Sequence, residues 1–277
     1  MQRLDKALLV VSFGTTHEET RARTIDAIED HLAKAFPDRK LYRGWTSRMI
    51  VKRLREQGVS VDTLEEALER MRADGIRDML VQPTHMIPGA ENDRMLSALE
   101  ESADGFEQIL AGQPLLSTEE DREHLARALA EELLSGGPAE ACKALVLMGH
   151  GSANKPEANR IYEEMQQTFR RLGYCNVFVA TVEGTPALED VLAAMEQGVK
   201  DEGLQRGIPE PKVVLAPLMI VAGDHAKNDM AGPEEDSWKN RLETAGFAVK
   251  PVLRGLGEYP AVREMLARHA REAVRIK

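Results

Sequence analysis

The stretch Ala144–Asn159, ALVLMGHGSANKPEAN, joins a run of apolar residues to a histidine set between two glycines. The run Ala144–Met148 is too short for a helix and is followed by glycine punctuation, so it reads as a buried strand. Beyond it, Ile161, Tyr162, Met165 and Phe169 recur on one face of a helical pattern. His150 therefore sits at the carboxyl end of a strand, in a strand–turn–helix unit. In open α/β sheets this edge binds ligands, because its loops vary while the strands hold them in place.

The same alternation runs through the rest of the chain. Residues 7–13 read as a strand, and Glu18–Phe36 as one amphipathic helix with Ala22, Ile25, Ile28, Leu32 and Phe36 inward. A short strand follows near Lys40–Arg43, and helices open at Thr46 and at Thr63, where Thr63 and Glu66 have the spacing of a capping box. Arg77–Pro83 is the next strand, the loop THMIPGAEN leads into a helix through Met95, Leu96 and Leu99, and another strand lies near Gln108–Leu116. Ser117 and Glu120 repeat the capping-box spacing before a helix carrying Leu125, Leu129 and Leu133, which ends at Gly136 and Gly137. The second half repeats the order: strand to Met148, helix to about Leu172, strand Asn176–Val182, helix through Leu188, Leu192 and Met195, strand Lys212–Pro217. Such alternation implies parallel sheets with right-handed crossovers.

The halves also match in detail. LLVVSFGTT laid over LVLMGHGSA puts Phe13 on His150 and Gly14 on Gly151; LYRGWTSR over TVEGTP puts Trp45 on Glu183; VQPTHMIPGAEN over LAPLMIVAGDHAKN puts Pro83 on Pro217, Gly89 on Gly223 and Glu91 on His225. Near-constant offsets of this kind mark an internal duplication. The expected fold is α/β, with two similar halves, each a parallel sheet flanked by helices, facing across a central cleft. The division is expected at residues 1–137 and 138–277, with the C-terminal helix packing back on the first half. The second half carries the polar set, and the first supplies a wall.

A chain of 277 residues can bury such cores without disulfides, and its two cysteines, Cys142 and Cys175, have no metal-type spacing. This fits a reducing cytoplasm. The amino-terminal apolar run is too short for a secretion signal, and no stretch approaches the length of a membrane span. A formal charge of -10 argues against nucleic acid as a partner. Basic residues do gather locally, as Arg43, Arg48, Lys52, Arg53 and Arg55. Such a run is most often a solvated helix face; the alternative is a docking site for carboxylates or phosphates.

His150, Glu183 and His225 each follow an expected strand, so the fold converges them. Two imidazoles and one carboxylate make a ligand set for a divalent transition metal that keeps open positions for water or substrate. Taken singly, each also has a structural reading: a histidine can satisfy a carbonyl, and a glutamate can favour a helix start. His85, in QPTHMIPG, reads first as a packed histidine. The spacing G-x-x-x-x-G-K-[ST] of a phosphate loop is absent, so no nucleotide is expected.

The motifs ALLVVSFGTT, GWTSRMI, VQPTHMIPGAEN, VLMGHGS, TVEGTP and LMIVAGDHAKNDM together resemble the anaerobic sirohydrochlorin cobaltochelatase family, a branch of the chelatases that includes ferrochelatase, over nearly the whole chain. The resemblance implies insertion of divalent cobalt, as substrate ion, into the tetrapyrrole sirohydrochlorin for cobalamin synthesis, without nucleotide hydrolysis. It puts the family's metal-binding and catalytic His, Glu and His on His150, Glu183 and His225. His150 is assigned as the acceptor of pyrrole protons, with Glu183 and His225 holding the ion. Arg48, Lys155 and Lys227 are the expected docking residues for the ring carboxylates, and Phe13 and Met219 the expected packing residues. Some periplasmic relatives bind haem through a histidine in the loop matching His85; haem is not predicted here. Iron or nickel insertion uses the same ligand set, and a non-enzymatic haem or metal carrier and zinc-assisted hydrolysis are the readings of other classes. A homo-oligomer is left open.

Overall fold

The computed structural model describes residues 5–134, 143–153, 156–201 and 212–276. In chain order, the first half contains β1 (Lys6–Ser12), α1 (Glu18–Arg23), α2 (Ile25–Ala35), β2 (Lys40–Trp45), α3 (Arg48–Glu56), α4 (Leu64–Ala73), β3 (Asp78–Pro83), α5 (Ala90–Glu101), β4 (Gln108–Ala111) and α6 (Glu119–Leu134). The second half contains β5 (Lys143–Gly151), α7 (Arg160–Arg171), β6 (Val177–Glu183), α8 (Leu188–Asp201), β7 (Lys212–Pro217), α9 (Trp238–Thr244) and β8 (Ala248–Pro251), before α10 (Pro260–Arg271) and β9 (Val274–Arg275). Among the described residues no helix is long and apolar enough to cross a membrane.

The chain divides into two compact units, one of residues 1–121 with 257–277, the other of residues 122–256. The glycine pair at 136 and 137, where the sequence suggests a boundary, lies outside the described residues. In the first unit the strands run in the order β2-β1-β3-β4-β9, parallel except for β9, which pairs antiparallel with β4. In the second the order is β6-β5-β7-β8, parallel throughout. The orders β2-β1-β3-β4 and β6-β5-β7-β8 are the same path traced twice, which is the duplication read from the sequence.

The central strands are buried on both faces, as a parallel sheet between helices requires. Ala7, Leu8, Leu9, Val10 and Val11 of β1 are fully buried, and so are Leu145, Val146, Leu147 and Met148 of β5. In the first unit Leu9, Val11, Leu68, Met79 and Met95 share one core; in the second Val146, Met148, Ala180, Leu215 and Trp238 share another.

Local signals mostly hold. Thr63 accepts from the Glu66 amide while the Glu66 carboxylate accepts from the Thr63 amide, the reciprocal cap expected of that spacing. The second cap is shifted by one residue. Thr118 Oγ1 accepts from the Asp121 amide at 3.1 Å, Asp121 accepts from the Thr118 amide at 2.9 Å, and Ser117 instead donates to the Pro114 carbonyl. The long first helix is also broken: Thr24 takes φ -112, ψ -79 and separates α1 from α2, its hydroxyl donating to the Thr20 carbonyl at 2.6 Å.

Candidate metal centre

The strand ends of the second unit build the site. β5 and β6 pair in parallel with Gly151 opposite Glu183, so His150 and Glu183 reach the same edge. β7 ends at Pro217, and the Leu218 amide donates to the Met148 carbonyl at 2.8 Å, which holds the following loop against β5. That loop delivers His225 at the start of a π-helical turn, Ala226–Met230. His150, Glu183 and His225 each offer one ligand atom, and these atoms lie within 4.8 Å of one another. The two imidazole rings stand edge to face with centroids 4.6 Å apart.

Glycine makes this approach feasible. Gly151 has φ +75, where side chains are strained, and a Cβ there would lie 2.7 Å from the Glu183 carbonyl oxygen. A Cβ on Gly149 would lie 2.1 Å from the Tyr162 ring. Tyr162 is buried beneath the turn, and its hydroxyl accepts from the Gly151 amide at 3.3 Å. Burial pushes the Tyr162 phenol up, partly offset by those backbone bonds. Asn159 closes the turn after the histidine: Oδ1 accepts from the Ser152 amide at 2.8 Å and Nδ2 donates to its carbonyl at 3.0 Å.

The hydrogen bonds fix which imidazole nitrogens are available. His150 Nδ1 lies 2.9 Å from the Gly151 carbonyl oxygen, which only accepts, so Nδ1 carries the proton. His225 Nδ1 lies 2.6 Å from Asp229 Oδ2 and donates to it. In the neutral ring this tautomer leaves the lone pair on Nε2 in both histidines. Among the described residues Glu183 has no ion-pair partner, and it is exposed beside them. A neutral pair of imidazoles with one carboxylate suits a divalent ion and leaves coordination positions open. Asp229 had no place in the sequence reading; its signal is the four-residue step from His225, which one helical turn brings onto the same side.

The remaining expected site residues distribute differently. Lys227 is exposed, two residues beyond His225, while Met219 is half-buried against the second core. Lys155 lies outside the described residues. Phe13 and Arg48 belong to the first unit, where they line a cavity of about 440 Å³ together with Met49, Glu65, Glu91 and Arg94. Phe13 and Met49 are 51% and 61% exposed, unusual for side chains of their size, and mark the cavity mouth as an apolar surface. Arg48 pairs with Glu65 at 2.8 Å and Arg94 with Glu91 at 2.7 Å. Most of the basic run is also engaged: Arg43 with Glu29 and Asp26, Lys52 with Glu56 and Arg55 with Glu66, while Arg53 has no ion pair among the described residues.

His85 also lies in the first unit, buried on the loop after β3, with neither ring nitrogen in a hydrogen bond among the described residues.

Comparison with known proteins follows the same lines. A model of the cobalt chelatase (CbiK) family matches residues 6–275. The chain is 37% identical to a sirohydrochlorin cobaltochelatase of Salmonella typhimurium over 98% of this chain and 97% of the relative. It is 32% identical to the sirohydrochlorin cobaltochelatase CbiKC of Nitratidesulfovibrio vulgaris, covering 97% and 90% of the two chains. The fold resembles that of the sirohydrochlorin chelatase SirB from Bacillus subtilis subspecies spizizenii, solved with cobalt, with a TM-score of 0.59 at 14% identity over 96% of this chain and 94% of that one.

Proposed function

The chain belongs to the cobalt chelatase (CbiK) family, and from that premise we propose that it is a sirohydrochlorin cobaltochelatase, inserting divalent cobalt into the poly-carboxylate ring without nucleotide hydrolysis. The observation that carries the site is the convergence of His150, Glu183 and His225, with ligand atoms within 4.8 Å of one another. Insertion exchanges the ion's water and protein ligands for four ring nitrogens and releases two pyrrole protons. A nitrogen and carboxylate set without thiolate holds cobalt weakly enough to hand it on.

In this reading the ion rests on His150 Nε2, Glu183 and His225 Nε2. As the ring nitrogens take over the ion, a freed imidazole accepts a pyrrole proton, since its ordinary pKa is near 6.5. We assign that step to His150, the more exposed of the two, held among the described residues by its neighbour's carbonyl. Arg48 and Lys227 are proposed to dock ring carboxylates, with Lys155 the further candidate by sequence, and Phe13 and Met219 to pack against the ring. The cysteine composition supports a cytoplasmic setting: Cys175 is an exposed free thiol.

Anaerobic incubation of the purified protein with sirohydrochlorin and divalent cobalt, followed by visible absorption against a no-protein control, tests the function. Insertion accelerated by wild type and lost in His150→Ala, Glu183→Ala and His225→Ala is the expected result. A wild-type rate equal to the control overturns the chelatase reading. Parallel runs with ferrous iron and divalent nickel rank the metals.

A further inference from the structure

Asp229 stands apart from the candidate ligand set yet makes a short contact to it, Oδ2 to His225 Nδ1 at 2.6 Å. It sits in the π-helical turn Ala226–Met230, whose backbone is anchored by the Lys227 amide on the Gly223 carbonyl at 3.0 Å and by the Gly232 amide on the Asn228 carbonyl at 2.9 Å. Ala226 and Met230, on either side of it in the turn, are fully buried. The carboxylate is thus held on a packed backbone and aimed at the histidine that the same turn presents. Among the described residues His150 has no such partner, its Nδ1 lying against a backbone carbonyl. The two imidazoles are therefore supported unequally.

We propose that Asp229 is a positioning residue for metal delivery: by accepting the Nδ1 proton of His225 it fixes the tautomer and ring orientation that turn Nε2 toward the ion. The inference rests on the chelatase reading of the site but concerns the ion before the ring arrives. A carboxylate behind a ligating imidazole also raises its basicity, and loss of such a partner typically costs about 10- to 100-fold in metal affinity. His225 then acts as the tighter anchor and His150 as the looser one. This asymmetry gives release of cobalt an order, with His150 leaving first.

The test titrates divalent cobalt alone into the full-length protein, following the visible ligand-field bands and calorimetric heat. Asp229→Ala is expected to weaken cobalt binding about 10- to 100-fold, with the thermal midpoint of the metal-free protein unchanged, and Asp229→Glu to restore part of the loss. In the His225→Ala background the same Asp229→Ala change is expected to add nothing, because the residue through which it acts is gone. In turnover, the KM for cobalt rises while the KM for sirohydrochlorin stays put. Unchanged cobalt affinity in Asp229→Ala overturns the proposal, as does a loss fully additive with His225→Ala. Should wild type bind cobalt but insert none, the chelatase reading fails while the positioning role is still decided by the titration.

Discussion

His85 is 8% exposed, and neither of its ring nitrogens has a hydrogen-bond partner among the described residues. Burial pushes its pKa below the ordinary 6.5, opposed by the Glu91 carboxylate and by Asn92, which lies near without hydrogen-bond geometry. A folded pKa below the unfolded one means that the unfolded chain takes up the proton first. The stabilising effect of the neutral ring is complete above about pH 6.5 and is lost as pH falls through that value toward the folded pKa. His85→Leu removes both the titration and the unpaired nitrogens. Urea unfolding at pH 7.5 and 5.5 is expected to show a smaller acid loss in the variant than in wild type. Equal losses would mean that this ring does not titrate across the transition. His150 and His225, the proposed metal ligands, differ from His85 in kind, since each has Nδ1 against a fixed acceptor.

At the scale of elements, α10 is tied to the first unit through one buried carboxylate. Asp121, 1% exposed at the start of α6, accepts from His269 Nε2 at 2.8 Å and from Arg268 at 2.6 Å, both on α10. Hydrogen bonds from His269 and Thr118 outweigh burial and bring the Asp121 pKa from 3.8 down to about 2. A depressed carboxylate stabilises above the unfolded pKa and loses that effect as pH falls through the folded one. Its contribution, about 2 kcal/mol, is thus present above about pH 4 and lost toward pH 2. Asp121→Ala leaves the buried His269 Nε2 without its carboxylate and Arg268 with Glu120, and a loss of about 3–5 kcal/mol is expected in urea unfolding at pH 7. A loss under 1 kcal/mol would show that Asp121 adds little to the apolar face of α10 and its other polar contacts, such as Glu264 with His31. This tie was not legible in the sequence, because Asp121 and His269 are distant in the chain and each reads as an ordinary polar helix residue. The cap that places Asp121 was visible only to within one residue, since Ser117 and Thr118 both fit the pattern. The helix break at Thr24 left no trace in an apolar periodicity that continues across it, and β8 and β9 are too short to show a period. What was legible was whatever repeats: buried strands with continuous apolar runs, amphipathic helices, and glycines where the edge turns. The three proposed ligands were readable because each lies at or beyond the carboxyl end of such a strand, and Asp229 was not, because its proposed role runs through His225.

The whole molecule carries a formal charge of -10, and its two proposed substrates have opposite signs, a divalent cation and a poly-carboxylate ring. Its long-range field therefore draws cobalt in and holds the ring off. Close to the first-unit cavity the local charges nearly cancel, because Arg48 and Arg94 are each matched by a glutamate. These pairs are exposed, with both Arg side chains more than 70% accessible, so exchanging a glutamate for a ring carboxylate costs little. The long-range term then dominates the approach of both substrates at low ionic strength. Raising salt from about 10 to 150 mM shortens the screening length from about 30 to 8 Å and removes most of that term. In initial-rate measurements across this range, kcat/KM for cobalt is expected to fall while kcat/KM for sirohydrochlorin rises. If both fell together, the ring would be steered by a local positive site strong enough to override the net charge, and Arg48→Gln should then abolish its salt dependence. If both stayed flat, association would not limit either step, and the rate would be set where His150, Glu183 and His225 exchange the ion with the ring nitrogens.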